Sequence, residues 1–326
     1  MKAFSHHSPV VILFSACALA FMVSLFESSF NAYYYQIIIY IGINVILASS
    51  LNLVNGFTGQ FSLGHAGFMA IGAYTASVIT SQLGATAGIT GSFIFLLALL
   101  SGGLVASFFG LLVGIPSLRL KGDYLAIVTL GFGEIIRVVI QNLDFLGGAR
   151  GFTGIAKLSN FFWVFAVVAI LMYLLSNLIR STYGKGFLAV RDDEVAAEAM
   201  GINATRYKVT AFVTAAFFAG MAGGLYAHFV TYINPSQFSF VKSIEIVVMV
   251  IIGGMGHSVG VFISAVLLTV LPEALRPIAE YRMVIYSLAL VVIMIARPQG
   301  LFGDSEVFTK LWRLLTSRAK PGDSKS

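Results

Sequence analysis

Glu134 and Arg137 are ionisable residues in an apolar run, Thr129-Leu130-Gly131-Phe132-Gly133-Glu134-Ile135-Ile136-Arg137. Three apart on a helix, they share a face and can pair. Ionisable groups at membrane depth are costly and by default suggest a function, such as a proton relay or a solute path. The competing reading is a structural ion pair that locks this helix to a neighbour; a single compensated pair is a poor relay, which favours that reading. Glu245 is a second candidate, with Lys242 three residues away and both near the end of an apolar stretch. Asn44, Asn52, Asn55, Gln60 and His65 form a polar cluster interleaved with Gly56, Gly59, Gly64 and Gly67. Either a broken helix here exposes backbone groups to a polar solute or a water-filled path, or the glycines permit a tight, closely packed turn. Asn52, Gln60, His65, Glu134 and Arg137 are therefore candidate path residues. Catalytic signatures are missing: there is no phosphate-binding G-x-x-x-x-G-K-[ST] loop and no H-E-x-x-H, and the five histidines are scattered. The single cysteine, Cys17, excludes an internal disulfide framework and a cysteine-rich metal site. The motifs give no sign of an enzyme, of a metal site or of a cofactor held by this chain.

The longest polar interruption runs from Arg180 to Lys208. Its middle predicts a short helix with Asp192 as N-cap and Asp193 and Glu194 at the positive end of the dipole. Val195, Ala196, Ala199 and Met200 fall on one face, Glu194 and Glu198 on the other. Gly201 supplies the stop, and Gly184 and Gly186 loosen the approach. Such a helix either transmits a movement from another protein or is a solvated connector.

These residues must be positioned by a membrane scaffold. Of 326 residues, 58% are hydrophobic and 10% charged, against roughly 25% charged in a globular domain. Mean hydropathy is +0.91. A span needs about 20 apolar residues. The apolar runs predict an all-α, polytopic protein with about ten spans, near 9–27, 34–54, 62–82, 92–116, 123–143, 160–180, 208–230, 243–256, 257–275 and 281–297. Residues 9–27 imitate a signal peptide but read better as the first span. The eighth run is short enough to be a half-helix. Lys2, Arg119, Lys121, the basic residues around 180–208 and those of the tail then fall on one side, the cytoplasm by the positive-inside rule; this places both termini there. The opposite 144–159 loop carries only Arg150 and Lys157 as basic residues. The net charge of +6 is explained by this flanking pattern and implies no nucleic acid. One transmembrane domain, 1–305, carries a cytoplasmic loop at about 181–207 and a basic cytoplasmic tail, 306–326. Gly220/Gly224 and Gly110/Gly114 are G-x-x-x-G pairs suited to close helix packing in lipid. Leu63-Gly64-His65-Ala66-Gly67-Phe68 weakly echoes Met255-Gly256-His257-Ser258-Val259-Gly260, compatible with an internal repeat or with chance.

The sequence resembles the permease subunits of branched-chain amino-acid ABC importers, specifically the larger, M-type subunit. The resemblance rests on Gly59-Gln60-Phe61-Ser62-Leu63-Gly64-His65-Ala66-Gly67-Phe68, on Leu130 to Arg137, on Gly186 to Glu194 continuing through Ala197 to Gly201, and on Arg297-Pro298-Gln299-Gly300-Leu301-Phe302-Gly303. It implies a second homologous permease, two cytoplasmic ATPase subunits that bind the ATP, and a periplasmic substrate-binding protein, all at a bacterial inner membrane. It also implies that the 187–201 segment is a coupling helix seated in an ATPase groove, with Phe187, Arg191, Asp192, Glu194, Val195, Ala196, Glu198, Ala199, Met200 and Gly201 as its residues. The acidic face would stay wet. The family's outer loop has Thr-Gly-Gly where this chain has Leu146-Gly147-Gly148. The implied cargo is leucine, isoleucine, valine or a related small polar solute. The alternative from another class is an ion-gradient-driven secondary transporter or channel in which Glu134 carries a proton.

Overall fold

The computed structural model describes residues 31–85, 88–117 and 123–276 continuously, with scattered positions in 13–24 and 281–300. Ten helices are described along these stretches: α1 Ala32–Asn52, α2 His65–Gln82, α3 Ile89–Ser117, α4 Asp123–Gln141, α5 Phe161–Arg180, α6 Thr182–Asp192, α7 Glu194–Ala199, α8 Ala204–Val230, α9 Phe240–Gly253 and α10 Ser258–Ala274. Extended pairing among the described residues is limited to one antiparallel bridge, Phe152 to Ile233.

Five of the ten helices start on a side-chain cap. Asn31 accepts from Tyr33 N, Asn160 from Trp163 N and Asn203 from Arg206 N. This matters in lipid, where no water satisfies the free amides of a first turn. Among the described residues, six helical stretches are long and apolar enough to cross a bilayer: Ala32–Phe57, Ile89–Pro116, Tyr124–Gln141, Phe161–Arg180, Ala204–Val230 and Pro235–Gly253. Ser258–Ala274 is apolar but shorter. The expected runs 34–54, 92–116, 123–143, 160–180, 208–230, 243–256 and 257–275 each correspond to one helix, with ends shifted by a few residues. The runs 9–27 and 281–297 fall mostly outside the described residues, as does the tail.

The expected span 62–82 is corrected at its start. α1 ends in a π-helical turn, Leu53–Phe57, and residues 58–64 are not helical. Buried irregular backbone is tolerated at membrane depth only where protein satisfies it. Here Gln60 N donates to Val54 O, Ser62 N to the Asn55 side chain and Leu63 N to Thr129 Oγ1. Ala66 N, in the first turn of α2, donates to Ser243 Oγ of α9.

The centre of the bundle is α2, α3 and α8, which pack most closely on one another. They cross at glycines. A Cβ on Gly72 would fall inside the Gly220 backbone, and one on Gly220 would lie 2.7 Å from Gly102 O. Gly220/Gly224 and Gly110 thus serve packing, as their spacing predicts.

The two ends of the bundle are distinct. At one end Gly56, the α9–α10 loop at Gly256 and Arg191 of α6 meet. At the other, Phe152 pairs with Ile233, Tyr33 Oη donates to Glu273 Oε2 at 2.7 Å and Phe161 N donates to Tyr35 Oη.

Candidate functional site

The polar segment forms two helices where the spacing predicts one. Asp192 is the last residue of α6, and the N-cap of α7 is Asp193, whose carboxylate accepts from Val195 N at 2.9 Å and Ala196 N at 3.0 Å. Asp193 is extended, at φ −158°, which kinks the chain between α6 and α7. Gly184 and Gly186 lie inside α6 and do not loosen it. The Tyr207 ring occupies the space a Gly186 side chain would need. Phe187 is fully buried, edge-on to Tyr207 at 5.7 Å and beside Tyr183. It anchors the segment from inside and presents nothing outward.

The anchoring leaves one apolar face free. Ala197 packs behind α7 on Val190 and Ala204. Glu194 reaches back to Lys208 of α8, with Nζ to Oε1 at 2.7 Å, so the acidic face is not wholly wet; Glu198 is exposed. Val195, Ala196, Ala199 and Met200 are all exposed, Val195 at 69% and Met200 at 83%. Gly201 ends the segment in the left-handed region, φ +84°.

Arg191 is partly exposed and reaches back to Gly56. Its Nη1 donates to Gly56 O at 3.3 Å, while Nε and Nη2 donate to Asp192 Oδ1 at 3.1 and 3.0 Å. Gly59, at φ +69°, lies so close that a Cβ would sit 2.9 Å from Arg191 Cγ. Across the junction Gly256 N donates to Asn52 Oδ1 at 2.9 Å. One contact therefore ties α6 to the π turn of α1 and to the loop between α9 and α10. π turns are rare and frequently mark functional positions.

The five candidate path residues do not form one site. Asn52 belongs to this junction. His65 is buried, with Nε2 2.9 Å from Ser50 Oγ. Gln60 is buried too, and its side-chain amide makes no hydrogen bond among the described residues. Glu134 and Arg137 pair at 2.7 Å, and Glu134 also accepts from Phe240 N at 3.0 Å. The carboxylate thus ties α4 to the start of α9, which is the structural role the pair could have. Glu134→Gln keeps an acceptor for Phe240 N. With both side chains about a quarter to a third exposed, the variant is expected to cost about 1 kcal/mol or less, checked by thermal unfolding of the purified protein.

A linked set of side chains has a clearer chemical character. Lys242 Nζ donates to Glu245 Oε2 at 3.1 Å and to Asn44 Oδ1 at 3.2 Å, and Asn44 Nδ2 donates to Thr269 Oγ1 at 2.9 Å. This set joins α9, α1 and α10. Lys242–Glu245 was visible as an i, i+3 pair; Asn44 and Thr269 are 198 and 225 residues from their partners, and no local signal announces them.

The sequence over residues 33–296 matches the family model described as branched-chain amino acid transport system / permease component. The high-affinity branched-chain amino acid transport system permease protein LivM of Salmonella typhimurium is 37% identical over 294 residues, covering 79% of this chain and 67% of the relative. LivM of Escherichia coli is 36% identical over the same coverage. The LivH permease protein of Salmonella typhimurium is 26% identical over 285 residues, covering 80% of this chain and 92% of the relative. No solved structure matches. With its apolar helices and a family match over most of its length, this chain is a multi-pass membrane protein and belongs to the permease-component family of branched-chain amino acid transport systems.

Proposed function

We propose that this chain is one of two permeases in an ATP-driven importer that carries leucine, isoleucine, valine or a closely related solute inward across the inner membrane. Its partners are a second, LivH-like permease, two cytoplasmic ATPases and a periplasmic binding protein. About ten spans place both termini and α6–α7 in the cytoplasm. ATP is bound and hydrolysed on the partners.

The observation that carries this reading is the face of α7. A short helix pinned from behind by Ala197, Phe187 and the Glu194–Lys208 ion pair exposes Val195, Ala196, Ala199 and Met200 together. An amphipathic helix of this kind is suited to lie in an apolar groove of a partner. Movement of that partner would reach the membrane through Arg191, which holds the α1 π turn. Alternating access then follows if ATP binding favours one arrangement of the junction over the other.

Two experiments test this. Gentle solubilisation of the tagged chain from its native membrane is expected to recover a second permease and two ATPases, identified by mass spectrometry; a lone homo-oligomer would contradict the reading. Arg191→Met keeps an unbranched apolar stem and removes the guanidinium donors. A hydrogen bond from a charged group contributes about 1.5–3 kcal/mol, so leucine moved per ATP hydrolysed is expected to fall about tenfold or more while the ATPases stay bound. An unchanged ratio would remove Arg191 from the transmission.

A further inference from the structure

A cavity of about 410 Å³ lies between α1, α2, α8, α9 and α10, within the usual range for small-molecule sites of roughly 300–1,000 Å³. Its depth follows from helix rise. Asn44, on its wall, is near the midpoint of the apolar stretch Ala32–Phe57, 12 residues from its start, about 18 Å at 1.5 Å per residue. That is near the middle of an apolar core about 30 Å thick, where transporter sites commonly lie.

The lining is chemically mixed. Lys242, Glu245, Asn44 and Thr269 contribute a linked polar set. Ile43, Met69 and Leu268 contribute aliphatic side chains to the same cavity. A lysine ammonium has three donors; Lys242 uses one on Glu245 and one on Asn44. Glu245 Oε1 makes no hydrogen bond among the described residues, since only Oε2 is engaged. One cationic donor and one anionic acceptor therefore stand side by side and unspent, in a cavity that aliphatic side chains also line.

We infer that this cavity binds the cargo as a zwitterion, Lys242 taking the α-carboxylate, Glu245 the α-ammonium, and Ile43, Met69 and Leu268 an aliphatic side chain. The inference rests on the transport reading above and names the site for it. The Lys242–Glu245 pair matters for turnover as well as for recognition. When no zwitterion is bound, the two charges compensate each other, so neither is left alone at membrane depth. Binding exchanges part of one ion pair for two, which keeps affinity low enough for release. The site is also mechanically linked to the junction. Lys242 lies in the first turn of α9, which ends at Gly253, and Thr269 lies in α10, which starts at Ser258; the loop between them contacts Asn52 and Gly56.

The test uses the complete complex in proteoliposomes and photo-leucine, an aliphatic amino acid with a diazirine on its side chain. After irradiation, adducts are expected on peptides containing Ile43, Met69 or Leu268. Leucine is expected to compete about tenfold better than 4-methylpentanoate, which lacks the ammonium, or isopentylamine, which lacks the carboxylate, because each loses one charge-assisted contact. Glu245→Gln is expected to lower labelling and leucine uptake about tenfold. Met69→Phe fills the apolar wall without touching a charge and is expected to lower both as well. Adducts elsewhere, or equal competition by all three compounds, in a complex that takes up leucine would overturn the site and leave the transport reading standing. A complex that takes up no leucine would overturn both.

Discussion

Ala199→Arg is expected to strip the ATPase subunits from the solubilised complex while the second permease stays bound. Ala199 lies on the exposed face of α7 between Val195 and Met200, so the fold itself has room for the new side chain. Nothing in the α7 cap, the Ala197 packing or the Glu194–Lys208 pair is disturbed. In a groove that accepts alanine, an arginine collides and buries a charge without a partner. Residues at the centre of an interface commonly cost 2 kcal/mol or more when disrupted, which is about a thirtyfold loss of affinity. Met200→Glu should act in the same direction, since the methionine presents the larger exposed surface. Pull-down with quantitative mass spectrometry reads the ATPase-to-permease ratio. An unchanged ratio in both variants would mean that the α7 face is not the docking surface.

Gly220→Leu is expected to abolish the folded chain. At the crossing of α2, α3 and α8 the neighbours of a Cβ on Gly220 would be Ala106 Cβ at 2.6 Å, Gly102 O at 2.7 Å and Gly103 Cα at 3.1 Å. Two of these are backbone atoms, which cannot rotate away, so α3 and α8 would have to separate. Overpacking a tight core costs about 1–3 kcal/mol and sometimes more, and a leucine at a backbone contact belongs at the upper end. Net stabilities are only about 5–15 kcal/mol, so little monodisperse protein should survive size-exclusion chromatography. Gly131→Ala is the matched control, because that position on α4 has open space around it. Relative to glycine, alanine favours a helix by about 1 kcal/mol, and this variant should purify at least as well as the parent.

The helices were legible because apolar runs of span length admit few alternatives in lipid. The interruption between Asn55 and His65 was legible as a cluster of glycines and amides. Its path was not, because Asn52 and Thr129 satisfy backbone groups far away in sequence. The outward face of α7 could be read from the spacing of Val195, Ala196, Ala199 and Met200. The cap slipped by one residue because Asp192 and Asp193 are chemically equivalent; the choice is made by the pairing of Asp192 with Arg191. Arg191 read as part of a surface that meets another protein, whereas its guanidinium points to Gly56. Lys242 and Glu245 read as a pair at a span end, because only the fold brings Asn44 and Thr269 to them. The echo between residues 63–68 and 255–260 has a counterpart in position: each leads into the start of a helix, α2 and α10.

The most direct measurement is uptake of radiolabelled leucine into proteoliposomes that contain this permease with its partners. ATP is supplied on the ATPase side and the binding protein on the other. The account predicts uptake that needs both ATP and the binding protein, and that persists when an ionophore collapses the proton gradient. Uptake by this chain alone, driven by an ion gradient without ATP and lost in Glu134→Gln, would contradict it and make this a secondary transporter.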